Sequence, residues 1–419
     1  MLVAILLLPG CWLHPGFGPE RQNSNPFEHS LTEANVGSLH QAWSVPTEGA
    51  GGEPLVAGGA VFLYEQRGFG TSDERLTVRA LSRRSGATLW QRDLPDDQSL
   101  GGGGILSVAG DEVLTVRPTR TTPSETRFET LDVATGATVA TAVTSNRLAP
   151  DTAAVGSGVI ANREITSSSP SQWNLVVRSR DTFEVLWSAP IGSFSLPSHD
   201  PVIIGQGHIY LRDDGEGPPV VRAYPVGGCG AATCTPTSTF AVPVPQSQQL
   251  DWVDAQLLTV TDDGHLLLRR SWSEFHAIIR DDLMALTSDG EVAWTVPFRQ
   301  MTGVAVAGDT VVAVGDDDGV LPGGIVVGRS SSSTWRAGGV VFEGAVAIAG
   351  GLAYVANDQV VHVFNAAGCG SPTCDELTSV GLGSGTGGIQ GMSVAGGMLF
   401  VNKAGPGGGL LAFAPTGSS

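Results

Sequence analysis

VAGGAVFL, from Val56 to Leu63, sets two apolar runs on either side of a glycine pair, and the same arrangement returns along the chain. The later copies are VAGDEVLTV from Val108, VGSGVIA from Val155, IGQGHIYL from Ile204, VDAQLLTV from Val253, VAGDTVVAV from Val306, IAGGLAYV from Ile348 and VAGGMLFV from Val394. Their starts lie 52, 47, 49, 49, 53, 42 and 46 residues apart. A small or turn-forming pair between two short apolar runs predicts a tight hairpin joining neighbouring strands. A period of about 40 to 55 residues made of such hairpins predicts the blades of a β-propeller.

Most units carry a second half made of a strand, a turn with Gly or Asp, and a strand bearing Trp. VRALSRRSGATLWQRDL, VVRSRDTFEVLWSAPI and LMALTSDGEVAWTVPF are examples, so each unit supplies the four strands of one blade. The last unit ends with LLAFAP (Leu410 to Pro415) and lacks its Trp strand, whereas SLHQAWSVP (Ser38 to Pro46) carries Trp43 ahead of the first copy. Pairing these two ends would close the ring and remove the open edges that invite aggregation. The fold expected is therefore all-β: an eight-bladed propeller of four-stranded antiparallel blades over 38–415, closed by the N-terminal strand. Residues 1–10 read as a signal segment and 11–37 as a leader or tether.

With 41 acidic and 23 basic residues the net charge is −18, and no basic stripe exists to meet nucleic-acid phosphates. A hydrophobic fraction of 41% is ample for a packed core. One copy of the chain completes a ring, so a monomer is expected.

The chain opens MLVAILLLPGCW, and its L-P-G-C resembles the lipobox of bacterial lipoproteins, although no Lys or Arg precedes the apolar run. That resemblance implies cleavage before Cys11 and lipidation of Cys11, giving a membrane anchor in the cell envelope. Trp12 stands where an Asp would resemble an inner-membrane retention signal, which favours the outer membrane. The other four cysteines fall in two matching spacings, GCGAATC (Cys229, Cys234) and GCGSPTC (Cys369, Cys374). Even numbers in an exported chain point to disulfides. A shared zinc site is implausible with the pairs three blades apart, so each pair is expected to close its own small loop, worth about 2 kcal/mol in the chain-entropy view.

Catalytic signatures are scarce. The eight histidines form no H-E-x-x-H, and neither G-x-S-x-G nor G-x-x-x-x-G-K-[ST] occurs, so no catalytic residue and no metal ligand is assigned. GSGTGG (Gly383 to Gly388) spells a dinucleotide fingerprint, yet it falls between strands of successive blades with no helix behind it. Asp213-Asp214, Asp262-Asp263 and Asp316-Asp317-Asp318 lack the alternation of a calcium loop and read as turns. Trp43, Trp90, Trp187, Trp294 and Trp335 recur at one place per unit and are expected to pack neighbouring blades. Trp173, Trp252 and Trp272 fall outside that register and are the better candidates for exposed contacts.

NPFEHSLTEANVGSLHQAW (Asn25 to Trp43), the V-A-G-G-x-V-F-V repeat and the G-A-T-L-W strand ends together resemble the PQQ-repeat, quinoprotein-like propellers, over the chain from about Asn25 onward. The resemblance implies one of two activities. Its dehydrogenase branch would hold pyrroloquinoline quinone with calcium on the ring axis, and its alcohol-oxidising members carry a disulfide between adjacent cysteines, which this chain lacks. Its other branch is similar to the BamB-type lipoproteins, which have no cofactor and bind partner proteins through propeller loops. The lipobox, the acidic charge and the missing catalytic set favour a lipid-anchored scaffold for envelope proteins. The enzyme, or a carbohydrate-binding or cell-wall-binding propeller, stands as the alternative.

Overall fold

The computed structural model describes residues 11–417 apart from 48, 68–74, 95–104, 119–124, 149–152, 169–170, 194–200, 214–218, 245–249, 275–277, 317–323, 330–333, 341–344, 384–386 and 406. The expected signal segment, 1–10, lies outside the described residues, as do Asp214, Asp317, Asp318 and the centre of GSGTGG.

Alternation of apolar and polar residues over runs of five to nine puts one side chain in two on a buried face, and such strands here pair with their chain neighbours. The result is an all-β propeller of four-stranded antiparallel blades. Sheet 1 contains Leu55–Ala57, Ala60–Arg67, Arg75–Ser82 and Thr88–Leu94, from the axis outward. The same succession builds sheet 2 (Ile105 to Thr144), sheet 3 (Ala154 to Ser193), sheet 4 (Ile203 to Ala241), sheet 5 (Leu250 to Phe298), sheet 6 (Gln300 to Val340) and sheet 7 (Val346 to Gly381). The four strands of each of these seven are continuous in the chain, and sheet 7 gains Ser24–Asn25 as a short parallel fifth strand beside Val346–Ala349. The remaining sheet 8 is composite: Ile389–Ala395, Met398–Lys403 and Gly409–Pro415 are joined by Leu39–Pro46 from the other end. Leu39 pairs with Pro415 and Pro46 with Gly409, which is the closure expected from Trp43.

The hairpin turns follow the motif wherever glycine can supply positive φ, as at Gly58 and Gly59 (φ 57° and 83°). The copy at Val253 departs from the expectation. Leu250–Val260 is one unbroken strand, and the turn lies eight residues later, between Val260 and Leu266. An apolar run without an internal Gly has no reason to turn, and Gly264 (φ 86°) supplies the turn instead.

Neighbouring sheets are locked by the tryptophans. Trp43, Trp90, Trp187 and Trp335 are buried, and each donates its indole N–H to a turn carbonyl of the next sheet: Arg83 O, Val133 O, Val226 O and Ala366 O, at 2.9, 2.8, 3.2 and 3.2 Å. Each ring lies flat on a turn glycine. A Cβ on Gly86, Gly136, Gly228 or Gly368 would fall 2.5 to 2.7 Å from the ring. In sheet 4 Phe240 takes the Trp position, against Gly290 of sheet 5. Trp294 is half-buried against the apolar cluster of sheets 5 and 6.

Buried ion pairs recur near the middle strands, which no motif announced. Glu65–Arg79 (2.9 Å), Glu129–Arg117 (2.7 Å) and Glu164–Arg178 (2.9 Å) are the most enclosed. Several arginines reach across to a neighbouring sheet, as Arg79 does to Pro46 O of sheet 8 at 3.1 Å and Arg163 to Arg212 O of sheet 4 at 2.9 Å. Removing one partner of such a pair leaves a buried charge, at a cost of about 3–5 kcal/mol.

Candidate functional site

Each sheet turns its innermost strand toward the axis, so one row of backbone N–H and C=O groups per sheet would lack a partner there. The leader supplies those partners. Trp12 pairs with Val56 of sheet 1 in both directions at 2.7 Å, and Leu13 O accepts from Val108 N of sheet 2 at 2.8 Å. Arg21 reaches Ala153 O, at the entry to sheet 3, at 3.5 Å, and Pro19 O accepts from Ile204 N of sheet 4 at 3.0 Å. Glu20 O accepts from Thr259 Oγ1 of sheet 5 at 2.6 Å, Gln22 O from Val306 N of sheet 6 at 2.7 Å, and Asn23 O from Ile348 N of sheet 7 at 2.9 Å. Asn25 Nδ2 finally donates to Val394 O of sheet 8 at 2.9 Å. Residues 12–25 thus run once round the axial end of the ring, and the residue that opens the repeat motif is their usual contact. Positive φ at Gly16, Phe17, Arg21 and Asn23 lets the chain curl that tightly. The leader read as a tether is therefore packed structure.

Its anchor is Trp12, fully buried, with Phe17 edge-on at 5.5 Å and Phe27 beyond at 6.2 Å from Phe17. The Trp12 indole N–H donates to Glu53, whose two carboxylate oxygens also accept from Gly16 N at 3.1 and 3.0 Å. Burial pushes the Glu53 carboxyl up to about 7, against the pull of those two donors and Arg21. His14 lies 2.8 Å from Ser107 Oγ, and burial, helped by Arg180 and Arg21, lowers it to about 4. Neither residue belongs to a motif. Their roles follow from the leader's path, which spacing along the chain does not encode.

Cys11 is half-buried beside the first turn of sheet 1, and its carbonyl accepts from Asn25 Nδ2 at 3.0 Å. Burial raises its thiol above the usual range, opposed by Gly58 N–H and Arg83. Cys229–Cys234 and Cys369–Cys374 form disulfides with Cα atoms 5.7 Å apart, each in the outer turn of its sheet. Both loops also clasp the preceding sheet. Ser188 N donates to Ala232 O at 2.9 Å and Cys234 N to Ser188 O at 2.8 Å, while Arg336 N donates to Pro372 O at 2.8 Å and Cys374 N to Arg336 O at 2.9 Å.

Other expected positions are ordinary structure. Asp213 pairs with Arg222, Asp263 with His265 at 2.8 Å, and Asp262 accepts from Gln22 Nε2 at 3.0 Å. Trp173, one of the candidates for exposed contacts, is buried at 4% exposure, because its side of the strand faces the apolar cluster of sheets 3 and 4. Trp272 is half-buried under the Arg270 guanidinium at 5.3 Å, and the Trp252 side chain lies outside the described residues. Among the described residues no group of three or more His, Cys, Asp or Glu side chains could hold a metal ion.

The family profile described as outer membrane protein assembly factor BamB matches residues 32–220. The resemblance to the PQQ-repeat propellers holds. Solved propellers cover nearly the whole chain at low identity, which is evidence of fold alone. The quinohemoprotein alcohol dehydrogenase of Pseudomonas putida HK5 superposes with a TM-score of 0.63 at 13% identity, over 98% of this chain and 81% of that one. The corresponding enzyme of Comamonas testosteroni gives 0.62 at 13% identity, with the same 98% and 81% coverage. BamB of Moraxella catarrhalis gives 0.53 at 15% identity, over 90% of this chain and 99% of that one. No curated protein sequence matches.

Proposed function

We propose that this PQQ-repeat propeller is a lipid-anchored, cell-envelope scaffold for other proteins, an eight-bladed ring with one blade per sheet, held at a membrane through Cys11. The observation that carries this reading is an apolar rim. Leu89 of sheet 1, Val139 and Val143 of sheet 2, and Val185 and Leu186 of sheet 3 are 50 to 56% exposed on the outermost strands of three consecutive sheets. Large apolar side chains exposed on outer strands are what a protein partner can bury. The profile match to an assembly factor of the outer membrane supports the placement.

The test has two parts. Mass spectrometry of the membrane-extracted protein should find a diacylglyceryl-modified Cys11 at the mature N-terminus. Affinity purification from detergent-solubilised membranes should return a stoichiometric partner that Leu89→Asp with Leu186→Asp abolishes. An unlipidated cytoplasmic protein with no partner would sink the reading.

A second reading rests on the close superposition with the two quinohemoprotein dehydrogenases. Addition of pyrroloquinoline quinone, calcium and a dye acceptor to the purified protein decides it: alcohol-dependent dye reduction would replace the scaffold with an enzyme.

A further inference from the structure

At the seam where sheet 8 meets sheet 1 there is an open cavity of about 550 Å³. Arg83 and Arg84 line it together with Ser30, Gly396, Met398 and Thr416, and none of its lining residues is acidic. In a chain with 41 carboxylates and 23 basic residues, two adjacent arginines facing a cavity without a carboxylate are a local reversal of sign. Neither guanidinium forms an ion pair among the described residues, whereas Arg79, Arg117, Arg178, Arg222, Arg269 and Arg270 all do.

The two arginines are also held in place. Trp43 of sheet 8 donates to Arg83 O and lies against Gly86, so the turn that carries both side chains is clamped to the seam. The Arg83 guanidinium lies over Gly396, where a Cβ would sit 1.8 Å from Nη1, so the absence of a side chain at 396 makes room for it. Behind the wall, the buried Glu28 carboxylate is occupied by two backbone N–H groups of lining residues, Ser30 N at 2.6 Å and Gly397 N at 2.8 Å, and is not itself part of the lining. Met398, Ala42 and Ala414 give the remaining wall an apolar character.

We propose that this cavity binds a phosphate group carried on a small organic moiety, with Arg83 and Arg84 on the phosphate oxygens and the apolar wall against the remainder. Guanidinium forks match phosphate oxygens in geometry and charge. The volume exceeds what a bare phosphate fills. The same chemistry is offered by a phospholipid headgroup and by a soluble phosphate ester. The proposal stands on the cavity and does not depend on the scaffold reading or on lipidation.

The test uses the full chain carrying Cys11→Ser, so that no acyl anchor contributes. Calorimetric titration with glycerol 3-phosphate forms one arm, and co-flotation with phosphatidylglycerol-containing vesicles against phosphatidylcholine vesicles forms the other. Arg83→Gln with Arg84→Gln should weaken binding at least about tenfold in whichever arm binds, the loss expected when charge-assisted bonds are removed. Binding of glycerol 3-phosphate identifies a soluble ester, and binding of phosphatidylglycerol vesicles alone identifies a headgroup. Should the double variant melt early, Arg84→Gln, which alters only an exposed side chain, carries the same comparison. No binding in either arm, or binding that the arginines do not affect, overturns the proposal. Since the chain is −18 overall, non-specific attraction to an anionic vesicle cannot imitate the expected result.

Discussion

Phe183 of sheet 3 occupies the turn position that Gly86 and Gly136 hold in sheets 1 and 2, and it packs in the cluster that includes Ala140, which stands where Trp90 stands one sheet earlier. The turns are equivalent by their bonds: Gly86 N donates to Ser82 O, Gly136 N to Asp132 O and Phe183 N to Ser179 O, at 2.8, 2.8 and 2.9 Å. Large and small have changed sides of one interface. At four other seams a tryptophan lies on the next sheet's glycine, and here an alanine receives the next sheet's phenylalanine, which packs on Phe128 at 5.8 Å.

This exchange predicts strong coupling between positions 140 and 183. Phe183→Gly alone should cost about 3–4 kcal/mol for the cavity, and Ala140→Trp alone about 1–3 kcal/mol for overpacking. The double variant restores the common pattern, relieves a φ of 60° at a non-glycine residue, and should recover about 1–3 kcal/mol of the sum. Urea denaturation of the four proteins measures the cycle. Simple additivity would show that the two positions do not share an interface.

The leader predicts that the ring depends on its own N-terminus. Trp12→Ala removes a fully buried ring and the donor to Glu53, and should cost about 3–5 kcal/mol by denaturant unfolding. Limited proteolysis should then cut near Arg21 while the outer strands stay protected. Unchanged stability would mean that the leader only rests on the ring.

Two titrations where the leader meets the ring, one in the leader and one facing it, oppose each other. Glu53, at about 7 when folded, holds a proton that the unfolded chain has lost, so stability falls as pH rises from about 4.5 to 7. His14, at about 4 when folded, refuses a proton that the unfolded chain takes up, so stability falls as pH drops from about 6.5 to 4. Glu53→Gln should therefore raise the melting temperature at pH 8 and leave a steeper loss toward acid. His14→Gln should do the reverse, flattening the acid limb. Melting curves from pH 4 to 8 give both slopes, and parallel shifts at all pH values would contradict the assignment.

The cysteine loops predict a local as well as a global effect. Cys229→Ser with Cys234→Ser should lower stability by about 2 kcal/mol, the loop-closure contribution of a short ring. Because Ser188 N donates to Ala232 O inside that loop, its amide should exchange faster with solvent, whereas Arg336, clasped by the other loop, should not change. Equal acceleration at both sites would indicate general loosening.

Chain periodicity alone was enough to read the propeller, its closure through Trp43, the docking role of Trp43, Trp90, Trp187 and Trp335, and the pairing of Cys229 with Cys234 and of Cys369 with Cys374. Each of these depends on residues close in sequence or on a pattern repeated at one register, where a Gly turn or an apolar alternation has the same physical consequence every time. Where the pattern was spelled without its turn, at Val253, periodicity misled. The tertiary structure decided what joins distant segments: the course of residues 12–25 past every inner strand, the burial of Trp173, the ion pair of Glu164 with Arg178, and the cavity that gathers Arg83, Arg84 and Ser30. Such contacts form because unpaired backbone groups and buried charges must find partners somewhere in the closed ring, and which partner they find is set by three-dimensional proximity that no local spacing records.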